Sequence, residues 1–310
     1  MTWTLIDQEN YSIRYRGGDI DDDLLESMSG QIFDLDDISA REANSFQYSE
    51  YLVLLSGALS EDECYLMAGK LDFIELVNRQ GEKKQKFRID LNDFCLNNNR
   101  IYFTSGGDNS IYYLSPSGSI SKLLSTDPLE PGGICNSVDS GFYVSLEDSE
   151  TDAYTLDSHS RRLVKHLTLT GDGIHEYEFR EDGQTRLFTR PYRLCQNNNS
   201  DIYVTNSTKH ETGEVVIVFA RDRLRSVYRG QNLKEDFFPS DIVCDSTCNI
   251  LVIETSNIHL LSPEGEFLKY LLREKDVTHP LVLSLYKSAL WVGTAEGLVK
   301  VVKYKGCHDI

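Results

Sequence analysis

The groups of this 310-residue chain that could do chemistry are seven histidines, seven cysteines and 49 acidic residues. The histidines stand apart from one another. No His-Glu-x-x-His, no Gly-x-Ser-x-Gly and no glycine-rich phosphate loop after a strand occurs, so zinc-hydrolase, serine-hydrolase and nucleotide-binding chemistries lack their motifs. Four cysteines, Cys95, Cys135, Cys195 and Cys244, each follow an apolar residue (Phe94, Ile134, Leu194, Val243), and Ser284 follows Leu283 in the same way. Small side chains at repeated positions suit a crowded interior, where a free thiol acts as a small hydrophobe. A metal or redox cluster would need histidine or further cysteine at ligand spacing, and only Cys244 and Cys248 approach that. Asn97, Asn136, Asn197 and Asp245 lie within two residues of those cysteines. Such amides and carboxylates could converge on a divalent cation from several strands, or simply begin turns.

The elements that must position these groups repeat along the chain. A β-prone tetrapeptide recurs as Leu52–Leu55, Ile101–Thr104, Phe142–Ser145, Ile202–Thr205, Ile250–Ile253 and Leu290–Gly293, at steps of 49, 41, 60, 48 and 40 residues. Six units at this period predict an all-β, six-bladed β-propeller of four-stranded antiparallel blades. An apolar position before each tetrapeptide (Phe46, Phe94, Ile134, Leu194, Val243, Leu283) marks the innermost strand. Hairpins with mechanism follow, such as Ser115-Pro116-Ser117-Gly118 and Ser262-Pro263-Glu264-Gly265, where proline presets φ and glycine accepts a positive one. The third strand of unit three is Ala153–Leu156 or Leu163–Leu167. Unit six ends near Tyr304 one strand short. Residues 1–45 are therefore expected to supply a closing strand to a propeller over 46–310, through Trp3–Tyr15 or Ile32–Leu35. Asp21–Met28 reads as a short helix or a solvated charge run.

With 31 basic residues against 49 acidic ones, the net charge of −18 repels phosphate backbones and anionic lipid. Residues 1–50 hold twelve acids and three bases, a net of −9, half of the total. A hydrophobic fraction of 40% indicates a globular chain. Apolar stretches such as 215–220 fall far short of a span of about 20 residues. The odd, scattered cysteines and the first residues, with no basic segment leading into an apolar one, are those expected of a cytoplasmic protein with no membrane contact.

From unit five the residues resemble an NHL repeat, in Phe238-Pro239-Ser240-Asp241-Ile242-Val243-Cys244-Asp245, Asn249–Val252, Asn257–Leu261 and Gly265–Leu271. Pro280–Leu285, Leu290–Gly293 and Gly297–Tyr304 are similar to the closing repeat of invertebrate tripartite-motif proteins, and Ala220–Gly230 to an earlier outer strand. That resemblance implies a recognition propeller of a RING ubiquitin ligase. No zinc-binding RING or B-box pattern precedes the repeats, and of the acidic residues that often follow the tetrapeptides only Glu254 is present. The expectation is then a non-catalytic scaffold without cofactor, binding a basic or amide-rich protein segment. Asp108, Asn109, Glu147, Asp148, Asn206, His210, Glu254 and Asn257, on the loops after the tetrapeptides, are the candidate contacts. The alternatives are an RNA-binding NHL propeller, served by Arg79, Lys83, Lys84, Lys86 and Arg88 and by Arg221, Arg223, Arg225 and Arg229, or a divalent-metal propeller enzyme of lactonase or lyase type.

Overall fold

Each tetrapeptide after the first forms part of a strand sandwiched between neighbouring blades, and its residues are buried on both faces, as in Ile101–Ser105 and Ala289–Thr294. The computed structural model describes residues 3–7, 12–15, 30–35, 38–70, 72–97, 100–105, 107–219, 223–231 and 236–306. Among them there is no helix, and six four-stranded antiparallel sheets form the blades of a propeller. The inner strands are Val53–Ala58, Asp93–Asn97, Leu129–Ser137, Pro191–Gln196, Pro239–Cys244 and Pro280–Tyr286. Each touches the next and the last touches the first, closing the ring. The interior is divided into wedges between adjacent blades. One wedge packs Tyr143, Val164 and Tyr177 of the third blade against Leu194, Val204 and Val216 of the fourth.

The expected hairpins form. Gly118 and Gly265 adopt φ of +85° and +83°, and their N–H groups donate to the Ser115 and Ser262 carbonyls at 2.9 Å. The third strand of the third blade is Arg162–Thr168, and Gly173–Tyr177 is its outer strand.

The first blade departs from its expected register. Leu52–Leu55 belongs to the inner strand, and the second strand is Glu63–Ala68. Burial shows why: Val53 and Leu55 are buried while Leu54 is exposed, the alternation of a channel-lining strand, whereas residues 64–68 are all buried. Phe46 lies instead on Ser39–Gln47, which pairs antiparallel with Leu298–Lys305 and completes the sixth blade. The chain's two ends thus close the ring together. The segments expected to do so, Trp3–Tyr15 or Ile32–Leu35, contribute instead to a separate three-stranded sheet of Trp3–Asp7, Ser12–Tyr15 and Gly30–Asp34. Asp21–Met28, Gly106, residues 220–222 and Cys307 lie outside the described residues.

Candidate active site in the central channel

Three inner strands open with proline (Pro191, Pro239, Pro280), the third blade's carries Pro131 at its third residue, and in all four a bulge follows the proline directly. A bulge re-aims the side chains beside it. In the fourth and fifth blades the residues at the bulge are Arg193 and Asp241, and in the second blade Asp93 occupies the matching place before Phe94. All three are nine-tenths or more buried.

They form one network at the starting end of the inner strands. The Arg193 guanidinium pairs with Asp93 and donates to the Leu54 carbonyl of the opposite blade at 3.1 Å. Asp93 also accepts the Ile134 N–H at 3.0 Å. Asp241 accepts the Ile242 N–H at 2.9 Å and, from the sixth blade, the Leu283 N–H at 2.7 Å. Side chains and backbone of all six blades therefore meet at one buried charge cluster. Burial works against the charge on Arg193, yet Asp93 and Asp241 outweigh it and hold the guanidinium more firmly protonated. Burial pushes Asp241 up to about 6, against the opposing pull of Arg193. The buried Arg193 Nε–H has no hydrogen-bond partner among the described residues.

Beyond this floor lies a cavity of about 580 Å³ that runs to the far end of the inner strands, where Asn97, Asn136, Gln196 and Tyr286 line its mouth. Its wall carries Cys95, Cys135, Cys195 and Cys244. The first three, with Ser284, hold equivalent places opposite Tyr102, Tyr143, Tyr203 and Trp291. Cys244 departs from the expected match: it faces Ile250, one rung later, and Val243 takes the equivalent place. Burial pushes all four thiols up, so at neutral pH they are uncharged.

The candidate cation ligands do not assemble. Asn97 donates to the Asn136 amide oxygen at 3.2 Å at the channel mouth. Asn197 and Asp245 instead shape turns, accepting the backbone N–H groups of Asp201 and Asn249 at 2.9 and 2.8 Å. Among the described residues no group of three or more His, Cys, Asp or Glu is arranged to hold a metal ion. The axial carboxylates face a guanidinium that already supplies the positive charge, so this donor set does not fit a divalent cation.

The eight candidate contact residues lie near the closed end, because the second strands end where the inner strands begin: Asn206 pairs with Pro191 and Glu254 with Pro239. Most are engaged internally. Arg190 joins two of them, pairing with Glu147 at 3.2 Å while its N–H donates to the Asn206 amide oxygen at 2.9 Å. Asp148 pairs with buried Arg162, which pins the loop between the second and third strands. Glu254 lies 3.6 Å from the His259 ring, which holds its carboxyl low, and pairs across the hairpin with Asn257. Asp108 accepts from the Tyr112 hydroxyl, and the Asn109 carbonyl accepts from Thr126. His210 is exposed. The basic clusters sit on or beside outer strands against acids: Lys83 with Glu75 at 2.9 Å, Lys84 with Glu63 at 2.6 Å and Arg229 with Glu214 at 2.7 Å.

Asp241 makes a pH prediction. Its raised value means the folded state holds the proton more tightly, so this contribution to stability is complete below pH about 4 and lost as the pH rises through 6. Between pH 3 and 7 the wild type should lose about 3 kcal/mol relative to Asp241→Asn. Urea melts of both proteins across that range check this, and a pH-independent difference would contradict it.

No protein-family model matches the chain, and no curated protein matches it by sequence. Solved structures do match. A gluconolactonase from Xanthomonas campestris superposes with a TM-score of 0.65 at 10% identity, covering 86% of this chain and 91% of that one. A putative gluconolactonase gives 0.62 at 12% identity, covering 86% and 98%. A streptogramin B lyase gives 0.57 at 14% identity, again covering 86% and 98%. These neighbours share the six-bladed fold, and they correct the family expectation: they are not tripartite-motif NHL modules. The expectation of a non-catalytic scaffold in the ubiquitin pathway is corrected with it, since the neighbours are enzyme propellers. Physically, the residues that carried the resemblance are the packing and turn positions of a blade, which any such propeller needs.

Proposed function

We propose that the central channel is the active site of an enzyme acting on a small, oxygen-bearing molecule. The observation that carries this reading is the channel floor: Arg193, whose buried Nε–H has no partner among the described residues, stands beside Asp241 with its carboxyl near 6, and both line a cavity of about 580 Å³. A buried donor without an acceptor is costly, and a ligand carbonyl or hydroxyl oxygen would satisfy it. A carboxyl that titrates near neutrality is suited to move a proton to or from such a ligand. The volume suits a compact organic molecule. The gluconolactonase and lyase neighbours support this class of chemistry through their fold.

A panel of cyclic esters, sugars and sugar acids, screened by thermal shift and then by NMR for turnover, tests the reading. A productive compound should raise the melting temperature of the wild type and be turned over with a pH profile bending near 6. Asp241→Asn should still bind it but turn it over at least about 100-fold more slowly. Turnover unchanged by Asp241→Asn would overturn the assignment.

A further inference from the structure

We propose that Cys195 and Cys244 are a modification site: a dithiol pair that small oxidants entering the central channel convert into a disulfide joining the fourth and fifth blades. The two Sγ atoms lie 3.1 Å apart, and both residues are free thiols lining the channel. Both are partly accessible, as is Cys135, whereas Cys64, Cys95 and Cys248 are buried. The one-rung offset of Cys244 creates the pair. Cys195 reaches forward into the wedge with Ile242 and Ile250, and Cys244, on the opposite face of its own strand from Val243, reaches back into that same wedge. Cys95 and Cys135 follow the regular register and pack in two other wedges, against Tyr102 and Phe142 and against Tyr143 and Leu194. A fifth blade with cysteine in the regular register would have turned its thiol toward the sixth blade, where Val243 packs near Leu283.

The chemistry balances with hydrogen peroxide as the oxidant. One thiol loses its proton and attacks a peroxide oxygen; the S–O bond forms, the O–O bond breaks, and the departing hydroxide takes up the proton as water. The partner thiol then attacks the sulfenic sulfur; the S–S bond forms, the S–O bond breaks, and a second water leaves. Two thiols are oxidised by two electrons and one peroxide is reduced to two waters. Because burial keeps both thiols protonated, the pair persists as a dithiol at neutral pH and its oxidation should accelerate as pH rises. The bond would link residues 49 apart and raise the melting temperature. The site is independent of whether the channel turns over a substrate.

The test is a thiol map of the folded, full-length chain. After peroxide at pH 8, alkylation and non-reducing digestion, mass spectrometry should find one peptide linking Cys195 to Cys244. Two of the seven thiols should be lost, and dithiothreitol should restore them. A bulky aromatic disulfide should react with this pair at least about tenfold more slowly than with the urea-unfolded chain, since the narrow channel excludes it. Cys195→Ser should abolish the link and leave Cys244 trappable by dimedone as the sulfenic acid. If that variant does not fold, the wild-type map decides alone. Alkylation of both residues after peroxide, or a link from either to another cysteine, Cys307 included, overturns the proposal.

Discussion

Trp291→Ala should destabilise the protein by about 3–5 kcal/mol, the range for truncating a large buried aromatic. Trp291 is fully buried in the second strand of the closing blade, among Val53, Val282, Val299 and Val301. Its ring meets Phe46 edge to face, with centroids 6.5 Å apart. Phe46 belongs to the strand that closes the ring from the amino-terminal side, so this contact joins the two ends of the chain. The Trp291 indole N–H has no partner among the described residues, so truncation strands no acceptor among them and the loss is one of packing and cavity formation. Trp291→Phe should therefore retain much of the stability, while Phe46→Ala should share part of the alanine effect through the same contact. Urea unfolding of the three variants is the measurement. A change below about 1 kcal/mol for Trp291→Ala would place the ring outside the structural core.

Arg193→Met should cost a similar amount, about 3–5 kcal/mol at pH 8, for a different reason. Removing one member of a buried ionic group leaves the others uncompensated. Without the guanidinium, Asp93 and Asp241 face each other across the axis, each tied to a neighbouring blade by a backbone N–H. Asp241, freed from the opposing pull of Arg193, should rise further, so the variant should recover stability as the pH falls toward 5, where protonation removes stranded charge. Arg193→Lys should not rescue fully, because one ammonium cannot match the fork that pairs with Asp93 while also reaching the Leu54 carbonyl. Melting temperatures of the three proteins at pH 5 and 8 test this. A loss equal at both pH values would mean that Arg193 contributes only its packed stem.

Blade architecture is written into short stretches of residues. Tetrapeptides buried on both faces, Pro-x-Gly turns and basic outer strands are encoded over a few residues, where side-chain alternation and the φ preferences of proline and glycine act without distant partners. Five of the six units were legible for that reason. The first blade is the exception: Leu52–Leu55 is apolar enough to resemble a second strand, and the exposure of Leu54 that marks an inner strand arises only in the closed ring. Tyr65–Ala68, continuously apolar, was the available signal.

The charge cluster on the axis comes from ring closure alone. Asp93, Arg193 and Asp241 are far apart in the chain, and none belongs to a motif; closing a ring of six sheets brings them to one axis. The facing of Cys195 and Cys244 depends on a single-rung difference between two blades, which the residue spacing alone conceals because a one-residue shift reverses which side of a strand a thiol occupies. Local pattern specifies each sheet, but a site assembled from six sheets exists only once they surround a common axis.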